Sequence, residues 1–254
     1  MAWTKTKEEI KILREGGKRH AYILSCLREA TFPGVSTKEL DNIAESLIRE
    51  NGDLPSLLNY KPEGASYPFP ASVCISVNDE IVHGIPSERI LKNGDIVSFD
   101  FCMTHKNLIT DSTITVPVGV VSKELKGLIL VTNNALYAGI EAAQLGSHIG
   151  DIGFAISRSV KDFGYGVIRD LAGHGVGHKV HEDPFIPNYG KKGEGYELEE
   201  GMVLALEPMF TLGSPHISLA DDGYTVFSKD RSTSAHSEHT IAITKEGPLI
   251  LTEQ

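Results

Sequence analysis

The sequence predicts an α+β protein assembled from two similar α/β halves. Segment 33–52 matches 145–164 in its pattern of Gly and apolar residues, and the strand expected at 91–101 matches 198–208. Self-similarity of whole segments in the same order indicates an internal duplication, related by a pseudo-twofold axis. Because no linker or low-complexity stretch separates the halves, we expect residues 1–254 to form a single domain.

Each half begins with two predicted helices. The first half opens on a polar, helical stretch, turns at Gly34, and continues in an amphipathic helix. Ser36 followed by Glu39 is a capping box, which marks the start of that second helix. In the second half Gly146 occupies the position that corresponds to Gly34, again between two helical patterns.

The strands that follow carry acidic residues. Period-2 alternation places Asp100 on one face of its strand, and Asp111 starts a second alternating strand. A turn with His105 and Lys106 at its tip would set Asp100 directly opposite Asp111, with Cβ atoms about 4.5–5.5 Å apart. In the repeat of the strands, Asp100 corresponds to Glu207.

Composition excludes several classes of protein. The chain has 254 residues, 24 of them basic and 34 acidic, and its net charge of −10 argues against a nucleic-acid binder. Its cysteines, Cys26, Cys74 and Cys102, are too scattered for a disulfide framework and are expected to be reduced. The start of the chain does not resemble a signal peptide, and no apolar run approaches the roughly 18 residues of a membrane span. We therefore expect a cytoplasmic enzyme that does not contact membranes.

Four acidic residues and one histidine in strand-like segments are candidate metal ligands: Asp100, Asp111, His174, Glu207 and Glu238. Four carboxylates buried together would raise one another's pKa values, and two bound cations would remove that penalty. Two divalent cations also supply a Lewis acid and an activated water, which indicates a hydrolase. Ligation rich in oxygen with one imidazole suits Mn, Fe or Co better than it suits structural zinc.

Most of the other histidines are expected to be surface or core residues. His174 and His181 are seven residues apart, so they would point to opposite faces of a regular strand unless the nearby glycines bend it. They are therefore not expected to bind one ion as a simple pair. His239 alternates to the face opposite Glu238. Histidines without a motif are His20, His105, His148, His178 and His216.

The motifs together resemble those of type I methionine aminopeptidases, the pita-bread metallopeptidases. They are SVCISVNDEIVHGIPS (72–87), GDIVSFDF, ITDSTITV, GHGVGHKVHEDP, EGMVLALEPMF and SEHTIAIT, in the order and spacing of that family. The resemblance implies a pita-bread fold, in which a central curved antiparallel sheet is flanked by helices. The 30 residues between Glu207 and Glu238 are too few for the long helical insertion of the type II branch.

The resemblance also implies the roles of the five ligands. Asp111 and Glu238 would bridge two divalent metal ions (Co, Mn, Fe or Zn), Asp100 would chelate one of them, and His174 and Glu207 would complete the other. A hydroxide that bridges the metals would attack the scissile carbonyl.

Other residues are implied to bind the substrate, which would be the N-terminus of a peptide or a nascent chain. His181 would hydrogen-bond near the scissile carbonyl, His83 would contact the scissile nitrogen, and Glu238 would shuttle the proton of the attacking water. Phe69, Cys74 and Tyr224 would line the pocket for the methionine side chain. Departures from the usual family pattern that bear on pocket size are Val180, Tyr224, His236 and Ser237.

The implied activity is removal of N-terminal methionine, with a small second residue favoured. Alternatives are a proline-directed aminopeptidase of the same fold, whose relatives usually carry an extra N-terminal domain, and an inactive pita-bread module that binds peptides. We expect a monomer. A basic stripe on the first helix, formed by Lys7, Lys11, Arg14 and Lys18, could contact the ribosome, although a solvated helix face is the default interpretation.

Overall fold

The computed structural model describes residues 4–253, which form four α-helices and fifteen strands. The helices are α1 (Lys7–Ala30), α2 (Thr37–Glu50), α3 (Lys123–Ala142) and α4 (Ile149–Ser159), followed by a 3-10 turn at Lys161–Phe163. The strands are β1 (Leu54–Pro55), β2 (Cys74–Val77), β3 (Glu80–Val82), β4 (Ile96–His105), β5 (Leu108–Pro117), β6 (Gly166–Val167), β7 (Ala172–Gly175), β8 (Glu182–Pro187), β9 (Val203–Leu206), β10 (Met209–Thr211), β11 (Ile217–Leu219), β12 (Val226–Ser228), β13 (Ser234–His236), β14 (Glu238–Thr244) and β15 (Gly247–Ile250).

A curled antiparallel sheet of nine strands forms the centre of the molecule. Its main path runs β1-β4-β5-β14-β9-β7-β8, with β2 added beside β4 and β15 beside β14. Two smaller sheets, β13-β10-β6 and β11-β12-β3, complete the structure. The strands of the first half thus meet those of the second half where β5 pairs with β14.

Each half has its own apolar core, as an internal duplication predicts. In the first half, α1 and α2 pack against β2, β4 and β5. In the second half, α3 and α4 pack against β9 and β14. Phe99 and Phe101 point into the first core, so Asp100 between them points to the opposite face of the sheet. The predicted α+β class with two similar halves is therefore confirmed.

The predicted capping box at the start of α2 is also present. The Ser36 hydroxyl accepts a hydrogen bond from the backbone N–H of Glu39, and the Glu39 carboxylate accepts one from the backbone N–H of Ser36. Thr6 and Glu9 form the same arrangement at the start of α1. Both caps satisfy backbone donors that a helix leaves unpaired at its first turn.

The turn between β4 and β5 differs from the sequence-based prediction. His105 pairs with Leu108, so the two turn residues are Lys106 and Asn107 rather than His105 and Lys106. Their φ angles are 47° and 67°, the left-handed values that a tight two-residue hairpin turn requires. No Asn-Gly or Asp-Gly pair marks this turn in the sequence, which is why the prediction failed.

As a result, the two acidic residues of the hairpin are not directly opposite each other. Asp100 pairs with Thr113, and Asp111 pairs with Cys102. The register differs from the predicted one by two residues. Because side chains alternate with a period of two, this shift leaves both carboxylates on the same face, as diagonal neighbours.

Helix α1 packs closely against the chain segment that follows β15. A Cβ atom built on Gly17 would lie 2.1 Å from the carbonyl oxygen of Leu251. The guanidinium of Arg14 donates to the same carbonyl at 3.1 Å and to the carbonyl of Ile250. Arg14 is therefore engaged within the fold, which leaves the exposed Lys7, Lys11 and Lys18 in the predicted basic stripe. No helix within residues 4–253 is long and apolar enough to cross a membrane.

Candidate metal centre

The five predicted ligands lie on five adjacent strands of the central sheet. In the order β4-β5-β14-β9-β7, each strand or strand end contributes one residue. These residues are, in that order, Asp100, Asp111, Glu238, Glu207 and His174. One ligand atom each from Asp111, His174 and Glu238 lies within 4.8 Å of the other two.

The geometry around His174 indicates a cation site. Its Nδ1 lies 2.8 Å from the carbonyl oxygen of Gly175. A carbonyl can only accept, so Nδ1 carries the proton and Nε2 presents a lone pair. That Nε2 faces Glu207 Oε1 at 3.6 Å and Asp111 Oδ2 at 3.8 Å. Burial, and to a smaller extent electrostatic repulsion from His181, lowers the pKa of His174 to about 3, so the ring is neutral at pH 7. At 3.6 and 3.8 Å neither carboxylate oxygen is within hydrogen-bond distance of Nε2, and a cation between them would bind the lone pair and the carboxylates together.

The surroundings of the four carboxyl groups disfavour their ionised form. Burial and then repulsion from neighbouring acidic groups raise the pKa values of Asp100, Glu207 and Glu238 well above their ordinary range. Burial raises the pKa of Asp111 to about 6. These shifts have the physical cause expected of acidic groups gathered without counter-charge.

Two of these carboxylates have an oxygen that is buried and unbonded. Asp111 Oδ1 and Glu238 Oε1 have no hydrogen-bond partner among residues 4–253. Leaving a buried polar atom unsatisfied costs about 1–3 kcal/mol or more, so native proteins rarely do so. The unpaired oxygens, the imidazole lone pair and the oxygen-rich donor set together fit divalent metal ions.

The other carboxylate oxygens are held by neighbouring side chains that sequence reasoning missed. Thr113 Oγ1 donates to Glu238 Oε2 at 2.7 Å, and the Cys102 thiol donates to Asp111 Oδ2 at 2.8 Å. Both residues share the face of Asp100 and Asp111 in the hairpin, so strand alternation could have identified them. These contacts orient the carboxylates and leave the second oxygen of each without a hydrogen bond.

His83 and His181 lie beside this cluster. The ring centroids of His181 and His174 are 4.5 Å apart in an edge-to-face arrangement. His174 and His181 do not share a strand, because β7 ends at Gly175 and the chain turns before β8 begins at Glu182. The prediction that they point to opposite faces of one regular strand therefore does not apply. Burial lowers the pKa of His181, and burial followed by His181 lowers the pKa of His83 to about 4.

Tyr60 is a further residue at the site that the sequence did not reveal. Its hydroxyl lies 3.2 Å from Nδ1 of His181. Tyr60 belongs to the irregular stretch between β1 and β2, where no periodic pattern predicts which side chains face the sheet. Leu57 and Pro62 of the same stretch also line the cavity described next.

An apolar cavity of about 140 Å³ opens onto the five candidate ligands. Phe69, Cys74 and Tyr224 form its apolar wall, together with Leu57. The rings of Phe69 and Tyr224 meet edge to face at 5.2 Å, and the Tyr224 hydroxyl donates to the carbonyl of Tyr67. A wider cleft of about 580 Å³, which His83 and His181 also line, lies next to this cavity.

The curled sheet and its cluster of acidic ligands define a metal-dependent hydrolase. The family model of Metallopeptidase family M24 matches residues 11–245. The chain belongs to this family and, within it, to the methionine aminopeptidases, because curated members of that group match it along almost its whole length.

Sequence relatives include the methionine aminopeptidase of Clostridium perfringens, 44% identical over 98% of this chain and 97% of that protein. Methionine aminopeptidase 1 of Bacillus subtilis is also 44% identical, with 98% of each chain covered. The crystal structure of methionine aminopeptidase from Rickettsia prowazekii superposes with a TM-score of 0.95 at 38% identity and covers 99% of this chain and 100% of that one.

The pita-bread fold is likewise confirmed. Prolidase from Pyrococcus furiosus matches with a TM-score of 0.76 over 99% of this chain and 65% of that one. At 24% identity this second likeness concerns the fold alone.

Proposed function

We propose that the protein removes the N-terminal methionine from peptides and nascent proteins and favours a small second residue. The observation that carries this proposal is the unprotonated Nε2 of His174, which faces Glu207 and Asp111 at 3.6 and 3.8 Å. A lone pair that faces buried carboxylates beyond hydrogen-bond distance suits a bound cation, and a cation beside an apolar cavity suits an aminopeptidase.

In this proposal two divalent ions are held by the five ligands. Asp111 and Glu238 would each serve both ions, which agrees with the unbonded buried oxygen that each of them retains. Asp100 would complete the ligands of one ion, and His174 with Glu207 would complete those of the other. When bound, the ions would supply a Lewis acid, an activated water and an anchor for the substrate's free amino group.

His181 and His83 then act on the peptide rather than on the ions. Both rings have lowered pKa values and are neutral at pH 7, so each offers one N–H and one lone pair. His181 donates to the carbonyl that is attacked, and the contact of its Nδ1 with the Tyr60 hydroxyl supports this role. His83 contacts the nitrogen of the scissile bond. Glu238 accepts the proton of the attacking water and delivers it to the leaving amine.

The small cavity receives the methionine side chain. Its walls are apolar and aromatic, and about 140 Å³ accommodates an unbranched side chain. Discrimination against a side chain that differs by one methylene is worth only about 1–3 kcal/mol in such a pocket. Methionine should therefore be the best first residue, with measurable cleavage of norleucine or leucine.

Contact with the ribosome remains a prediction of lower rank. The exposed Lys7, Lys11 and Lys18 of α1 support it, but solvated lysines on a helix face are common. Loss of ribosome co-sedimentation on replacing these three lysines by glutamine, with peptide cleavage unchanged, would support this contact. Unchanged co-sedimentation would refute it.

A panel of peptides tests the proposed function. Protein stripped of metal and reloaded separately with Mn, Fe, Co or Zn should cleave Met-Ala-Ser and should leave Met-Lys and Ala-Pro almost uncut. Faster cleavage of Ala-Pro than of Met-Ala-Ser would favour the proline-directed alternative. Absence of cleavage with every metal, despite bound ions, would favour the inactive peptide-binding module.

A further inference from the structure

A buried ion pair lies behind the loop that carries His181. The ammonium of Lys5 is 2.5 Å from Glu182 Oε2, and the side chains are 0% and 2% exposed. Lys5 belongs to the short segment that precedes α1, and its backbone N–H donates to Gly201 at 2.6 Å. This anchor fixes the segment beside the start of β9, whose end carries Glu207.

The second oxygen of the same carboxylate holds the loop itself. Glu182 Oε1 accepts the backbone N–H of His178 at 2.6 Å and that of Lys179 at 2.9 Å. One carboxylate thus joins Lys5 on one side to two backbone amides on the other. In the sequence, His181 lies between these two amides and Glu182, so both ends of the 178–182 segment are held by the Glu182 carboxylate.

The loop is shaped around the Lys5 side chain. Gly177 has a φ of 137°, and a Cβ atom at this position would lie 2.5 Å from Cε of Lys5. Helix α1 adds a second contact to the loop, because Glu9 Oε1 lies 2.7 Å from His178 Nε2. Glycine is therefore required at 177 both for its backbone conformation and for the space that Lys5 occupies.

A buried ion pair is an inefficient way to stabilise a fold. Apolar residues of similar volume often stabilise a protein as well or better, whereas removal of one charge leaves the other buried and unpaired. Burial lowers the pKa of Lys5, and the Glu182 carboxylate opposes that change. A charged pair does, however, fix the position of its partners with directional, charge-assisted hydrogen bonds.

We propose that Lys5 is a positioning residue for the reaction: through Glu182 it holds the 178–181 loop so that His181 meets the substrate carbonyl. This inference rests on the proposed function, in which His181 contacts the peptide. Displacement of a catalytic group by about 1 Å can cost on the order of 100-fold in rate. Loss of Lys5 should therefore lower kcat/KM by about 10- to 100-fold, mainly through kcat.

The test is a double-mutant cycle between Lys5→Met and His181→Ala. If Lys5 acts through His181, Lys5→Met should lower kcat/KM on Met-Ala-Ser in the wild-type background and should have almost no effect in the His181→Ala background. Lys11→Met, which removes an exposed lysine from α1, is the matched control and should leave kcat/KM unchanged. An equal loss in both backgrounds would overturn the proposal.

Hydrogen exchange provides a measurement that does not depend on activity. Lys5→Met should accelerate amide exchange at 178 and 179, while exchange in the β4–β5 hairpin stays unchanged. If Lys5→Met does not fold, the variant Lys5→Met/Glu182→Gln carries the same cycle, because it leaves no unpaired buried charge. Unchanged exchange at 178 and 179 would overturn the proposal even if no peptide were cleaved, whereas failure of wild-type cleavage alone would count only against the proposed function.

Discussion

Replacement of Asp111 by Asn should stabilise the metal-free protein at neutral pH. Asp111 is buried among other acidic groups, and burial raises its pKa from 3.8 to about 6. Asn keeps the shape of the side chain and removes the charge. Its amide can donate to the neighbouring carboxylates, and its oxygen can still accept from the Cys102 thiol.

The pKa of Asp111 sets both the sign and the size of the effect. The pKa of the Asp111 carboxyl is raised in the folded state. Its contribution to the free energy of unfolding is therefore fully present below pH 3.8 and is lost as the pH rises to about 6. A pKa shift of this size corresponds to about 3 kcal/mol of unfolding free energy at pH 7. For a chain of this length that is about 5–10 °C in Tm. The advantage of Asp111→Asn should be small near pH 4 and should grow up to about pH 6.5.

Thermal unfolding of chelator-treated protein between pH 4.5 and 7.5 checks this prediction. The difference in Tm between variant and wild type is the informative quantity, because other groups titrate with the opposite sign. Glu9, for example, has a pKa lowered to about 2, led by its hydrogen bond with His178, and gives stability that is lost on acidification. Asp221→Asn, at an exposed position, is the control. A variant that melts below wild type at pH 7.5 without metal would refute the electrostatic argument. With added Mn, wild type should regain more stability than Asp111→Asn.

Three other changes test separate parts of the structure. His181→Ala should keep its metal content, measured by elemental analysis, and lose roughly 10²–10⁴ in kcat/KM; loss of metal would identify His181 as a ligand instead. Tyr60→Phe removes the hydroxyl beside His181 and should lower kcat/KM by about fivefold, the scale of one hydrogen bond; an unchanged pH–rate profile and rate would contradict this role. Gly17→Ala places a Cβ against the Leu251 carbonyl and should cost about 1–3 kcal/mol in denaturant unfolding. Gly127→Ala, in α3, is the control: the added Cβ would lie 3.4 Å from the Tyr165 hydroxyl oxygen, so the change should be neutral or slightly stabilising.

The sequence predicted the faces of the strands better than their register. Alternation placed Asp100 and Asp111 on one side of a hairpin, and this outcome is insensitive to an error of two residues. The capping box at Ser36 was equally local and equally reliable. The resemblance of motifs supplied the roles proposed for the remaining candidate ligands, which lie far apart in the chain.

Contacts between distant irregular segments could not be predicted. Tyr60 lies in a stretch without periodicity, so its approach to His181 depends on the path of the whole 56–73 loop. The pairing of Lys5 with Glu182 joins residues 177 positions apart, and neither side chain stands out as buried from its neighbours in sequence. Charged residues are usually exposed, so both side chains would by default be expected to face solvent.

The strands that carry the ligands are neighbours in the sheet but not in the chain, and this bears on how the protein folds. The β4–β5 hairpin closes over a two-residue turn, and hairpins of this kind form in about 1–10 μs. The contact between Ser112 and Glu238, by contrast, spans 126 residues, and the entropy of closing so long a loop delays it. A complete set of donors therefore exists only late in folding. A divalent cation should accordingly slow unfolding of the finished protein while leaving its folding rate almost unchanged.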